Sequence, residues 1–177
     1  MEHSNFKAIT INNQKRDDDL HLFFDELLAG GSRGDMADVI IEFIARHVFR
    51  LEDYIEVAGT YSRTIVSQSG NGFEAMIARW PEKTVTSIHG HPDYAFYYCL
   101  IGRIGVEHFV MKDSGLERVS SKIMQSGEYY SVQGKSGTFE NAIHRITPLE
   151  ESLTLHVYSD DPAKGLLYSS TQVPLLF

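Results

Sequence analysis

Nine short β-prone runs follow one another between Arg63 and Tyr158, and nothing else in the chain limits its fold so strongly. They are Arg63 to Gln68, Phe73 to Trp80, Val85 to His91, Ala95 to Ile101, Gly105 to Met111, Glu117 to Lys122, Glu128 to Val132, Thr138 to Ile146 and Ser152 to Tyr158. Each is rich in β-branched and aromatic residues, which suit a pleated, half-buried surface. The breaks hold turn residues able to take positive φ: Ser69-Gly70-Asn71-Gly72, Gly102-Arg103, Asp113-Ser114-Gly115 and Gly134 to Gly137. So many strands at such spacing imply a barrel or a sandwich.

Ahead of them the period changes. Leu20, Leu22, Phe23, Phe24, Leu27 and Leu28 follow the carboxylates Asp17 to Asp19 and stop at Gly30-Gly31, which predicts a helix over 18–29. After a turn at Ser32 to Gly34, Met36, Val39, Ile40, Phe43, Ile44, His47 and Val48 recur at three- and four-residue spacing, predicting a second helix over 35–49. With 177 residues and 42% hydrophobic content, the chain fits one domain: a helical part over 17–50, a barrel over 61–160 and a C-terminal extension over 161–177.

A net charge of −8 without a Lys/Arg cluster opposes binding to a phosphate backbone, so no nucleic-acid partner is expected. There is no apolar run long enough to span a membrane, and Met1 to Gln14 lacks the order of a secretory signal, so a soluble cytoplasmic protein is expected, monomeric or a small homo-oligomer. Cys99 is the only cysteine, which rules out an intrachain disulfide and leaves His and carboxylates as metal ligands.

Two of the eight histidines stand one residue apart in Ser87-Ile88-His89-Gly90-His91-Pro92. On a strand, residues i and i+2 share a face, so both imidazoles can converge on one ion. By itself His-x-His is a weak signal. A third histidine, His144, lies in the strand-like Ala142-Ile143-His144-Arg145-Ile146, and a barrel can bring such distant strands onto one inner wall. The alternative for His144 is a core histidine bonded to a backbone carbonyl. No carboxylate lies between Ala95 and Ile101, so the shell is three neutral imidazoles, and the uncompensated charge of a divalent ion would favour an anionic ligand.

These segments resemble the two motifs of the cupins, mainly-β proteins built as a double-stranded β-helix, a small jelly-roll-like barrel. More specifically the chain resembles the cysteine dioxygenase family of thiol dioxygenases. Tyr61-Ser62-Arg63, Trp80, Ser87-Ile88-His89-Gly90-His91, His144-Arg145 and Leu155-His156-Val157-Tyr158-Ser159 carry the likeness, over about 100 of the 177 residues. Two N-terminal helices ahead of the barrel also suit the family.

The resemblance implies Fe(II) on His89, His91 and His144, with O2 as co-substrate and a small thiol amino acid or thiol acid oxidised to a sulfinic acid. Arg63 matches the family position that grips the substrate carboxylate, for which a guanidinium is well shaped, and it favours L-cysteine over 3-mercaptopropionate. Tyr158 matches the active-site tyrosine. Thr154, His156 and Tyr158 match a Ser-His-Tyr relay, with Thr in place of Ser. Alternation along this strand puts Leu153, Leu155 and Val157 on the opposite face. Tyr61 and Trp80 would line the pocket, although a core tryptophan is the plainer role for Trp80.

The family's cysteine that crosslinks to this tyrosine is missing. Its position falls on Ala95 counted back from Gly102, or on Phe96 counted forward from His89, and Cys99 is too far along the strand to replace it, so Cys99 is expected to be a buried strand residue. The altered wall leaves open other thiol acids, another small-anion cupin oxygenase or isomerase, and a non-catalytic metal-binding cupin. His3, His21, His47 and His108 are left outside the site.

Overall fold

A computed structural model describes residues 8–11, 17–30, 36–169, 173 and 175–177. Strand β1 (Ile9–Ile11) precedes helices α1 (Asp18–Gly30) and α2 (Met36–Ile44). The barrel strands are β2 (Ser62–Gln68), β3 (Glu74–Trp80), β4 (Ile88–His91), β5 (Tyr94–Ile101), β6 (Arg103–Lys112), β7 (Gly115–Gln125), β8 (Tyr129–Gln133), β9 (Asn141–Pro148) and β10 (Ser152–Tyr158), followed by β11 (Leu167–Tyr168). They form a six-stranded sheet in the order β1-β2-β3-β10-β5-β8 and a five-stranded sheet in the order β11-β4-β9-β6-β7.

All nine predicted strands are present, with shifted ends. The run expected from Val85 begins its ladder at Ile88, because Thr84 closes a turn onto Pro81 and Thr86 meets β9 only through Ile146. The run expected from Thr138 begins at Asn141, whose side chain bonds the Lys135 and Thr138 carbonyls and holds the preceding residues in a loop. Helix α2 ends at Ile44 and not at 49: the Arg46 and His47 amides bond three residues back, the tightening that closes a helix, and His47 turns to meet Asp17. The turn at Ser32 to Gly34, the helix start at residue 35 and His3 lie outside the described residues. Two strands were not expected. β1 pairs in parallel with β2, and β11, within the supposed C-terminal extension, pairs with β4.

Side-chain alternation divides the interior. Ala75 and Ile77 of β3, Phe96 of β5, and Leu153, Leu155 and Val157 of β10 face outward onto Leu20, Phe24 and Leu28 of α1 and Met36 and Ile40 of α2. The opposite faces look into the barrel, where Ala78, Trp80 and Tyr97 meet Ile104, Val106, Met124 and Ile146 of the second sheet. Burying one aliphatic side chain contributes about 1.5–3 kcal/mol, so β10, buried along its whole length, ties helices and barrel together.

Val173 and Phe177 of the C-terminal chain cover part of the outer face of the second sheet. Val173 packs with Ile88, Phe109 and Ile143, and the Phe177 ring fills the space where a side chain at Gly105 would be. Under this cover Glu107 accepts bonds from Arg145 Nε, at 2.7 Å, and from Arg118, while Arg145 Nη1 donates to the Val173 carbonyl. Burial opposes the charge on Glu107, but the two guanidinium partners hold its carboxyl below the ordinary value. No helix among the described residues is long and apolar enough to cross a membrane.

Candidate metal centre

His89 and His91 extend from β4 into the barrel, and β9 places His144 opposite His89. The next registered pair is His91 with Asn141, so two β9 residues, Ala142 and Ile143, oppose the single residue Gly90. This bulge puts Ala142 in the left-handed region at φ 45°, a strained setting for a residue with a Cβ, beside the third histidine. Gly90 has no room for a side chain: a Cβ would overlap the Phe139 carbonyl oxygen. A Cβ on Gly165 would likewise overlap the Gly90 carbonyl, and the Gly90 amide donates to Leu166 at 2.9 Å.

The three rings converge, with centroids 4.6 to 4.8 Å apart and one ligand atom from each within 4.8 Å of the others. His91 Nε2 and His144 Nε2 are 3.3 Å apart. His89 Nδ1 donates to the Ser87 carbonyl at 2.8 Å, which fixes the tautomer that leaves Nε2 a lone pair. Burial lowers the pKa of all three, and for His91 and His144 the neighbouring histidines depress it further. They are therefore neutral at neutral pH, the state in which imidazole binds a metal. A donor set of three converging neutral imidazoles suits a divalent first-row ion with positions left for other ligands. His91 and His144 are buried, and the ligand atoms of the three histidines lie close enough together to hold one ion.

The cavity in front of the histidines measures about 340 Å³. Of the nine residues singled out in the sequence, His89, His91, His144, Tyr61, Arg63, Trp80, His156 and Tyr158 line it, and Thr154 stands behind the wall. Arg63 Nη2 donates to Thr10 of β1 at 3.2 Å, and its Nε is buried with no hydrogen-bond partner among the described residues. Tyr61 stacks on Trp80 with ring centroids 4.2 Å apart. The Tyr158 ring lies parallel to His91, 4.7 Å away.

Behind Tyr158 runs a chain of hydrogen bonds. His156 Nδ1 is 2.9 Å from the Tyr158 hydroxyl, His156 Nε2 is 2.7 Å from Thr154 Oγ1, and the Trp80 indole donates to that same oxygen at 2.7 Å. Burial brings the His156 pKa down to about 3 and pushes the Tyr158 phenol well above its ordinary value, so both are neutral. Trp80 is thus both a wall of the cavity and a buried core residue.

Sequence reasoning missed Met76, which lines the cavity, and the pair Tyr97–His108. The Tyr97 ring stands edge-on to His144 at 5.3 Å, and its hydroxyl lies 2.8 Å from His108 Nε2. Alternation from Trp80 would have placed Met76 on the inner face of β3. Cys99 is buried, as expected, and burial pushes its thiol up to about 12.

No family model and no curated protein matches the chain. Solved structures do. An oxalate oxidase superposes with a TM-score of 0.50 at 12% identity, covering 71% of this chain and 61% of its own. A double-stranded β-helix protein from Klebsiella pneumoniae gives 0.49 at 14% identity, over 69% of this chain and 91% of its own. A cupin superfamily protein from Desulfitobacterium hafniense gives 0.48 at 12% identity, over 66% and 92%. The fold is that of a cupin, a mainly-β double-stranded β-helix, here preceded by two helices. At this identity the likeness concerns the fold alone.

Proposed function

We propose that the protein is an Fe(II)-dependent thiol dioxygenase that adds both atoms of O2 to the sulfur of L-cysteine or a closely related small thiol acid. The observation that carries this reading is the joint presence of the three histidines, Arg63 and Tyr158 on the wall of one cavity. Fe(II) held by His89, His91 and His144 would supply the Lewis acidity that turns a thiol into a thiolate at neutral pH and the redox capacity that O2 needs. Because both oxygen atoms end on sulfur, its oxidation balances the reduction of O2 and no other reductant is required.

Arg63 binds the substrate carboxylate. Its buried Nε and the guanidinium donors not used by Thr10 suit a planar two-oxygen anion. Fixing the carboxylate there and the sulfur near the histidines restricts the substrate to one orientation, which removes the entropy of finding it during reaction. Tyr158 offers a neutral hydroxyl to the reacting groups, and His156 and Thr154 hold it in place. Met76 and Ile146 are among the apolar residues of the wall, with Ala8, Pro162, Ala163 and Leu167, and limit water near the sulfur.

The test is an oxygen electrode with iron-loaded protein, with iron quantified in the same sample and cysteine, 3-mercaptopropionate and related thiol acids compared. Thiol-dependent O2 uptake with a sulfinic acid as product is expected. No uptake with any of these thiols would overturn the reading and leave the histidines to a different small-anion chemistry.

A further inference from the structure

The hydrogen-bond chain behind the cavity has a direction, and the residue at its far end decides it. An indole nitrogen can only donate. Trp80 Nε1–H therefore occupies one acceptor site of Thr154 Oγ1, at 2.7 Å in a fully buried setting. The Thr154 hydroxyl hydrogen must then find an acceptor, and among the described residues its other bonded partner is His156 Nε2, also at 2.7 Å. A nitrogen that accepts carries no hydrogen, so neutral His156 keeps its proton on Nδ1 and donates it to the Tyr158 oxygen, 2.9 Å away. The Tyr158 hydroxyl hydrogen is left to point elsewhere, and Tyr158 lines the cavity with its ring against His91.

The reverse direction would put the proton on His156 Nε2. Thr154 Oγ1 would then accept from both sides, and its own hydrogen would be buried without a partner, the arrangement folded interiors avoid.

We infer that Trp80 is a positioning residue: its indole N–H fixes the orientation of the Thr154 hydroxyl, which sets the His156 tautomer and turns the Tyr158 hydroxyl proton into the cavity. Trp80 acts at a distance through Thr154 and His156 and need not touch the substrate to do so. The hydrogen-bond direction stands independently of any reaction, and only its catalytic consequence rests on the thiol dioxygenase reading.

Long-range proton–nitrogen correlation NMR reads the tautomer directly, on the full chain, metal-stripped and again with diamagnetic Zn2+, with His156 assigned by its loss in His156→Gln. The wild type should show the Nδ1–H form. Trp80→Phe keeps a ring but removes the donor, and should move His156 toward a mixture with Nε2–H, whereas Thr154→Ser should keep the wild-type form. An Nε2–H form in the wild type, or an unchanged tautomer in a folded Trp80→Phe, would overturn the inference. The wild-type spectrum decides the matter even where Trp80→Phe does not fold. In O2 uptake, Trp80→Phe should lower kcat by roughly tenfold, less than the ~10²- to 10⁴-fold a positioned proton donor contributes because the Tyr158 hydroxyl stays in place and only its orientation is lost, with KM nearly unchanged. If no thiol supports O2 uptake at all, the functional reading fails while the NMR result still tests the hydrogen-bond direction.

Discussion

Ala95 lies directly opposite Tyr158 in the antiparallel pairing of β5 with β10. The two pack together with Met76, whereas Phe96 points outward into the layer beneath the helices. A cysteine placed to crosslink to Tyr158, as the resemblance to thiol dioxygenases would imply, would therefore stand at Ala95, and the wild-type tyrosine has no thiol at that position. Intact mass of the wild type after exposure to iron, thiol and air should equal that of its sequence. Ala95→Cys should lose the thiol and ring hydrogens under the same treatment; an unchanged mass would mean the site cannot perform that oxidation.

Metal binding should be visible as stability. A ligand that binds only the folded state, present at 100 times its Kd, stabilises by about 2.7 kcal/mol, which for a domain of this size raises Tm by roughly 5–10 °C. Fe(II) or Zn2+ should produce such a rise in the wild type, and it should vanish in His89→Ala, His91→Ala or His144→Ala. Equal rises in wild type and variants, by differential scanning fluorimetry, would place the ion elsewhere.

Arg63→Gln removes a charge while keeping a hydrogen-bonding side chain. A bond to a charged group contributes about 1.5–3 kcal/mol, so kcat/KM for a carboxylate-bearing thiol should fall by roughly 10- to 100-fold. A thiol without a carboxylate, such as an aminothiol, should be affected far less. Equal losses for both would show that Arg63 does not bind the carboxylate.

Acid should weaken the metal-free protein before its carboxylates titrate. The His156 pKa is about 3 when folded against an ordinary 6.5, so below 6.5 the unfolded chain takes up a proton that the folded chain refuses. Stability is therefore greatest above 6.5 and declines as the pH falls toward 3, by about 1.4 kcal/mol per pH unit for this one group. His91 and His144 shift in the same direction and add to the slope. Urea unfolding at several pH values between 7 and 5 should show the decline, with a shallower slope in His156→Gln. A flat profile would contradict the buried neutral state.

Glu107→Ala should be among the most damaging changes away from the cavity. It leaves Arg145, 2% exposed in its side chain, without its carboxylate partner, and breaking one side of a buried ion pair costs about 3–5 kcal/mol. Denaturant unfolding measures this. A loss under 1 kcal/mol would show that the pair is solvated in solution.

What the sequence revealed and what it hid follow from the range of each signal. Alternation along 152–158 assigned Leu153, Leu155 and Val157 to one face and Thr154, His156 and Tyr158 to the other, and β10 is built that way. Strand geometry made His89 and His91 legible as a pair on one face, whereas bringing in His144, on a strand far along the chain, also needed the barrel that the run of strands implied. The three residues of β1 are too short for a period, and their pairing with β2 depends on contacts more than fifty residues apart, as in Thr10 with Arg63. Val48 continued the apolar period of α2 but is 72% exposed, because the chain leaves the helix at Ile44. Tyr97 and His108 were hidden for another reason: their meeting depends on how β5 and β6 face each other across the barrel, which neither segment encodes alone.

The crowding at Gly90 has a consequence for how the chain can vary. The ligand strand, the loop at Phe139 and the tail at Gly165 meet backbone to backbone, with no side chain between them to absorb a change. Terminal extensions ordinarily drift freely in length and composition. Here an insertion in the tail or a substitution at either glycine would be transmitted undamped to His89 and His91. Mutational tolerance should therefore be low at two residues that carry no functional group.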